Sequence, residues 1–316
     1  MQPSIASSRS GKSLHRSGFV TANGIRLHYL DWGGTGPALI LIHGFRANPH
    51  FFDDLAPAFK GRFRVIAYAR RGHGESEASG PYDLATLTVD LRGLMDALGI
   101  DKAHLAGHSM GGNEITSMAG AHPGRVGRIV YLDSAYDWAD PAFVAAFQNV
   151  PAAYSAPPAS AFVSLDAARA YLQTVWWPGV DGSRLEAYMR GGLAVQPDGT
   201  VRSIMRDSVV EEIAAAMFTE TRDYTRVRAP ALAIYPETNL DVHHVSAAQA
   251  AENLAWERQY IAPFRQASVA RARRELSNVE ILNVPGTHLD FLFTSRDKVV
   301  DAMQRFLDAP GSSCQA

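Results

Sequence analysis

Gly107-His108-Ser109-Met110-Gly111 follows the apolar run AHLA and precedes NEITSMAG, which reads as a helix. A serine hydroxyl is a weak nucleophile until a base takes its proton and the backbone presents it to substrate. The G-x-S-x-G pattern does the presenting. The chain turns from strand to helix so tightly that Ser109 takes a strained conformation, and Gly107 and Gly111 keep side chains out of the crowded turn. The serine oxygen then lies near a helix N-terminus, whose amides favour developing negative charge. This is the equipment of acyl transfer. Such chemistry needs two backbone amides aimed at the oxyanion. Met110, next after the serine, supplies one, and Phe45, at the end of PALILIHGF, supplies the other. His43 braces that loop, and Arg46 beside it is a candidate substrate contact.

The base must be chosen among 11 histidines. NVPGTHLDFLF places His288 in a loop just after an apolar run at 279–284, where an imidazole swings over the sheet edge to the serine. His104 falls at the wrong end of its strand, His73 looks structural, and His108 is expected to point away from the cleft. His243 and His244 open a helix as an exposed pair.

These residues must be held by regular elements. GFVTANGIRLHYLDWGG alternates apolar and polar residues around Asn23-Gly24, which predicts a hairpin. PALILI and RFRVIAY are continuous apolar runs, as strands covered on both faces are. Leu84, Leu87, Leu91, Leu94, Met95 and Leu98 have helical spacing. The spacing predicts further strands near 128–133, 231–235 and 279–284, a long helix near 243–275 and a last helix over 296–308. Strand–helix alternation of this kind predicts a mostly parallel sheet between helices. From about 139 to 222 the alternation stops, and the block reads as a helical insertion.

The 316 residues are 47% hydrophobic and 20% charged, sufficient for one α/β core with an insertion. The formal net charge is -2. Nucleic acid and anionic membrane, which need clustered Lys and Arg, are not expected as partners. A small-molecule substrate is, with the chain acting as monomer or homodimer. The single cysteine, Cys314, allows no internal disulfide and no zinc pattern, which suits a cytoplasmic location. Residues 1–17 read as a polar, disordered leader without the apolar core of a secretory signal. No apolar run approaches the roughly 18 residues a membrane span needs.

HGF at 43–45, RRGHGES at 70–76, GHSMGG at 107–112 and PGTH at 285–288 together resemble the α/β-hydrolase superfamily. The resemblance implies an eight-stranded, mostly parallel sheet with helices on both faces, a core over 18–138 and 223–310, a helical cap over 139–222 and a flexible tail at 311–316. It also implies a Ser–His–acid triad and no metal or organic cofactor. In most relatives the acid follows the seventh strand, three residues past a glycine. Here Pro236 takes that glycine's place and Asn239 the acid's, and asparagine cannot stabilise an imidazolium as a carboxylate does. Some relatives carry the acid after the sixth strand, where this chain has Asp133. Asp133 is the favoured acid and Asp241 the next; Glu237 and Asp137 remain open.

The aromatic side chains of the block 139–222, with Trp176 and Trp177 as the candidate lining pair, point to a small or medium, largely apolar substrate. The expected activity is hydrolysis of a carboxylic ester or lactone through an acyl-enzyme. A cofactor-free carbon–carbon bond hydrolase or lyase is the alternative on the same residues, favoured if a polar residue such as Asn113 reaches the serine. A non-catalytic ligand-binding receptor is the alternative of another class.

Overall fold

The protein's structure, a computed structural model, describes residues 15–155 and 158–309. Most of the expected leader, part of the Pro-rich YSAPPAS segment, the tail 311–316 and Cys314 lie outside the described residues. Residues 15–17 are described, and the first strand already begins at Arg16.

The hairpin is β1 (Arg16–Ala22) and β2 (Ile25–Gly33), paired antiparallel with Ala22 opposite Ile25. Both turn residues have positive φ, Asn23 at 49° and Gly24 at 76°, the geometry that Asn-Gly tolerates and that matches strand twist. There follow β3 (Ala38–Ile42), β4 (Arg64–Tyr68), α1 (Leu84–Ala97), β5 (Ala103–His108), α2 (Gly111–Ala121) and β6 (Val126–Leu132). The chain next enters the block expected to be an insertion. It contains α3 (Pro141–Gln148), α4 (Ala152–Ser155), α5 (Leu165–Tyr171), α6 (Gly182–Arg190), a small hairpin of β7 (Leu193–Val195) and β8 (Val201–Ser203), and α7 (Asp207–Thr219). The hairpin was not expected; its strands of three residues each are too short to leave a periodic signal. The chain returns as β9 (Ala231–Thr238), α8 (Ala247–Trp256), α9 (Ala262–Glu275), β10 (Val279–Thr287), α10 (Phe291–Thr294) and α11 (Arg296–Asp308).

Eight strands form one sheet in the order β1-β2-β4-β3-β5-β6-β9-β10. The pairs β1·β2 and β2·β4 are antiparallel and the rest are parallel. Alternate residues of each central strand serve two cores. Ile40, Ile42, Leu105 and Tyr131 pack under α1, α2 and α9. Leu39, Leu41, Ala106 and Val130 face α11 and the turns carrying Phe51, Phe52 and Leu55. Burying each such leucine or isoleucine contributes roughly 1.5–3 kcal/mol. That explains why these strands read as unbroken apolar runs.

The single long helix expected near 243–275 is interrupted. A π-helical turn, Glu257–Ile261, separates α8 from α9. Pro263 lies just beyond it and has no N–H for the carbonyl of Gln259, so the regular ladder breaks there.

Candidate active site

Four loops meet at the carboxyl ends of β3, β5, β6 and β10. Ser109 sits between β5 and α2 with φ 52°, the strained turn the sequence predicts. The space around it admits no side chain at the glycines. A Cβ on Gly107 would lie 2.5 Å from the Gly111 carbonyl oxygen, one on Gly111 2.4 Å from that of Ile42, and one on Gly112 2.5 Å from that of Ser134. Gly44 brings the β3 loop directly over the serine: its added Cβ would stand 2.8 Å from Ser109 Cβ. His43 braces that loop as expected. Its Nδ1 bonds the Gly44 carbonyl at 2.8 Å and its Nε2 accepts the Arg70 amide at 3.1 Å. Among the described residues, neither the Phe45 nor the Met110 amide donates to a protein acceptor. Both therefore remain available to an oxyanion.

His288 follows β10 on a turn clamped by Asp290, whose Oδ1 accepts the Thr287 amide at 2.7 Å. Gly286, with φ 110°, is required there, because a Cβ would come within 2.7 Å of Asp290 Oδ1 and Thr294 Oγ1. The His288 ring spans two partners: Nε2 is 3.0 Å from Ser109 Oγ, and Nδ1 is 2.6 Å from Asp133 Oδ2. Asp133 is 1% exposed and has φ 47°, a conformation aspartate tolerates better than most residues. Its amide bonds the Ile234 carbonyl of β9 at 2.8 Å, and Tyr136 donates its hydroxyl to Oδ1. Burial alone would raise the Asp133 carboxyl. The hydrogen bond and charge of His288, the charge of Arg265 and the Tyr136 hydroxyl together hold it below its ordinary value.

The other acids are engaged elsewhere. Asp241 accepts the amides of His243 and His244 and pairs with His244 Nδ1 at 2.9 Å, capping its own turn. Asp137 binds Arg271 at 2.7 Å. Glu237 is exposed, and Asn239 donates its amide to Glu257 Oε2 at 2.9 Å.

His108 departs from expectation. Instead of turning away it stacks on His288, with ring centroids 4.8 Å apart, and its Nε2 bonds the His288 carbonyl at 2.9 Å. Burial, then the nearby charge of His288, pushes it down to about 3, so it is neutral and Nε2 carries the donated proton. Only the turn geometry around Gly286 brings that carbonyl to it, so no spacing in the sequence reveals the contact. His73 is buried and pushed down to about 3 by burial and Arg70. His104 accepts the Arg128 amide at 3.1 Å at the far end of β5.

Asn113 is engaged by Arg222. Its Oδ1 accepts from both Nε and Nη2 of Arg222, and it is buried. The tryptophans divide. Trp176 is half-buried against Tyr154, with ring centroids 6.0 Å apart. Trp177 is 3% exposed, and its indole N–H donates to the Leu289 carbonyl at 2.8 Å. It is a strut between the block after β6 and the turn that carries His288, a contact invisible in local sequence. Arg46 is exposed with φ 57°, and its charge reaches the Tyr171 and Tyr188 phenols of that block. The block is also tied to the sheet side through Asn48 Nδ2, which donates to the Tyr188 carbonyl at 2.8 Å.

This sheet order and these loops define the α/β-hydrolase fold, and comparison with known proteins agrees. The family model described as alpha/beta hydrolase fold matches residues 37–173. Over that stretch the chain is similar to the α/β-hydrolase superfamily, and its fold is the α/β-hydrolase fold. It is 28% identical over 255 residues to a putative carbamate hydrolase RutD of Caulobacter sp. (strain K31), covering 78% of this chain and 92% of that one. It is 37% identical over 107 residues to a fluoroacetate dehalogenase of Burkholderia sp, a match to 32% of this chain that spans only 35% of that relative's length. Among solved structures, E-2-(acetamidomethylene)succinate hydrolase superposes with a TM-score of 0.69 at 24% identity, over 93% of this chain and 100% of that one. No helix among the described residues is long and apolar enough to cross a membrane.

Proposed function

We propose that this hydrolase cleaves a small to medium, largely apolar carboxylic ester or lactone through an acyl-enzyme on Ser109. The observation that carries the reading is the continuous hydrogen-bonded line from Asp133 through His288 to Ser109, at 2.6 and 3.0 Å. Ser109 Oγ attacks the carbonyl carbon as His288 Nε2 takes its proton. The oxyanion is held by the Phe45 and Met110 amides. His288 returns the proton to the leaving alkoxide, then removes one from water, which attacks the acyl carbon and frees the acid and the serine. Asp133 holds the imidazole in the productive tautomer and stabilises its charged form. No step needs a metal or an organic cofactor. Trp176, Tyr171 and Tyr188, with Arg46 facing the latter two, are the groups we assign to the substrate side.

A fluorophosphonate probe labels the wild type and not Ser109→Ala, and the wild type turns over short p-nitrophenyl esters. A folded wild type that resists labelling would overturn the reading.

A further inference from the structure

Arg265 lies on α9, outside the loops that carry Ser109, Asp133 and His288. Its Nε donates to the Tyr136 hydroxyl at 3.0 Å, and that hydroxyl donates onward to Asp133 Oδ1. Its Nη1 donates to the Glu237 carbonyl at 3.1 Å and to Glu257 Oε1 at 3.0 Å. Glu257 in turn accepts the Asn239 amide. Tyr136 is 4% exposed and wedged among the rings of Trp138, Tyr235 and Phe264, with centroids 5.2–5.4 Å away. Its phenol therefore has one orientation in which it accepts from Arg265 and donates to Asp133.

We propose that Tyr136 and Arg265 are positioning residues that hold the second oxygen of Asp133 and relay the guanidinium's positive charge to it. The proposal rests on the acyl-transfer reading. It explains how an acid delivered from β6 works while the loop after β9 offers none to His288: the same guanidinium orders both. Burial, then the charge of Asp133, drives the Tyr136 phenol well above its ordinary range, so it stays a donor. Burial would lower Arg265, but Tyr136, Asp133 and Glu257 outweigh it and the net direction is upward, so the cation persists.

The charge has a readable consequence. Facing Asp133 and His288 are Tyr136 from the same loop, Tyr235 of β9, His108 of β5, Glu257 of the π-helical turn, and Arg265, while Asp290 beyond β10 is held by Thr287 and Thr294. The first three are neutral, and Glu257 and Asp290 are carboxyls. Arg265 is thus the group in this set that opposes a positive imidazole. Weakening its link to Asp133 favours protonation of the base, so the acid limb of the pH profile moves to higher pH.

With a p-nitrophenyl ester as the probe, Tyr136→Phe lowers kcat/KM by about 10-fold and moves the acid limb up by about half a pH unit, a modest part of what a close charge does. Arg265→Gln moves it the same way, and Arg265→Lys, which keeps the charge, returns it most of the way. An unmoved limb, or one moved to lower pH as loss of Asp133 from His288 would cause, overturns the relay. Should Arg265→Gln fail to fold, Tyr136→Phe, which removes one oxygen, decides alone. If the wild type turns over no ester and resists the fluorophosphonate, the hydrolase reading fails instead. The relay is then still read from the protonation midpoint of the His288 ring, followed by NMR in wild type and Tyr136→Phe, with the same outcomes.

Discussion

Two neighbouring strands end a few ångströms from the same histidine and finish differently. After β6 the chain takes one left-handed step at Asp133, buries the carboxylate and hands it to His288 Nδ1 at 2.6 Å. After β9 the strand runs on to Thr238, and the loop beyond is spent on itself: Asn239 is tied to Glu257, and Asp241 caps the turn of His243 and His244. Both loops contain an aspartate at least 96% buried. The difference shows that burial alone does not qualify a carboxylate as a triad acid. It must also have an oxygen free of backbone amides and aimed at the ring nitrogen. Asp241 spends its Oδ1 on two amides and its Oδ2 on His244, whereas Asp133 keeps Oδ2 for His288.

The contrast is broken or sharpened most strongly by neutralising each acid. Asp133→Asn keeps the residue's tolerance for positive φ and removes only the charge, so kcat falls by about 10,000-fold, the loss expected when the imidazole is left in the wrong tautomer. Asp241→Asn leaves kcat within a few-fold. The reverse result in an ester assay would exchange the roles of the two loops.

Moving the acid tests whether the strand ends are equivalent. Asn239→Asp placed in Asp133→Asn recovers less than about 10-fold of the lost kcat, because Glu257 already holds that loop and the Tyr136 donor stays at β6. Recovery to near wild type would show that the β9 loop was competent and lacked only charge.

Acid also reaches the buried groups around the site. His73, in the loop after β4, and His108, at the end of β5, are pushed by burial from 6.5 to about 3. The unfolded chain therefore takes up protons below about pH 6.5 that the folded one refuses, and stability is lost as pH falls. Together they contribute a slope of about 2–3 kcal/mol per pH unit between roughly pH 6 and 4. Asp133 acts in the same direction at lower pH: held below its ordinary 3.8, it contributes stability above that pH and loses it as pH falls through its folded value. Denaturant melts at pH 7, 5.5 and 4.5 measure the slope, and His73→Gln or His108→Gln flattens it. An unchanged slope in both would assign acid sensitivity elsewhere.

The smallest effect concerns the strut behind His288. Trp177→Phe removes the indole bond to the Leu289 carbonyl and costs about 1 kcal/mol of stability with a few-fold loss in kcat. A loss in kcat as large as that of Asp133→Asn would mean that Trp177 touches the reacting groups directly.

Much of this was legible before any coordinates. Runs such as PALILI can be covered only on both faces, Asn23-Gly24 fits few turns other than a hairpin, and Gly107 and Gly111 leave room only for an elbow. Those signals are local: each depends on the shape and hydropathy of residues within a few positions. They point to the strands of the main sheet, the elbow serine and the loop after β10, while the β7–β8 hairpin and the π-helical break left no such signal. The ranking of acids rested on which strand end has a carboxylate, and it left four candidates. Tertiary structure alone decided among their surroundings, since hydrogen bonds linking residues 133, 136, 265 and 288 have no periodicity and no spacing rule. The same holds for His108, turned onto the base by the left-handed Gly286, and for Trp177, bonded to a carbonyl 112 residues away. A sequence records what each segment prefers by itself. Where a buried polar atom finds its partner depends on how all the segments pack, and that is settled only when the sheet closes over its two cores.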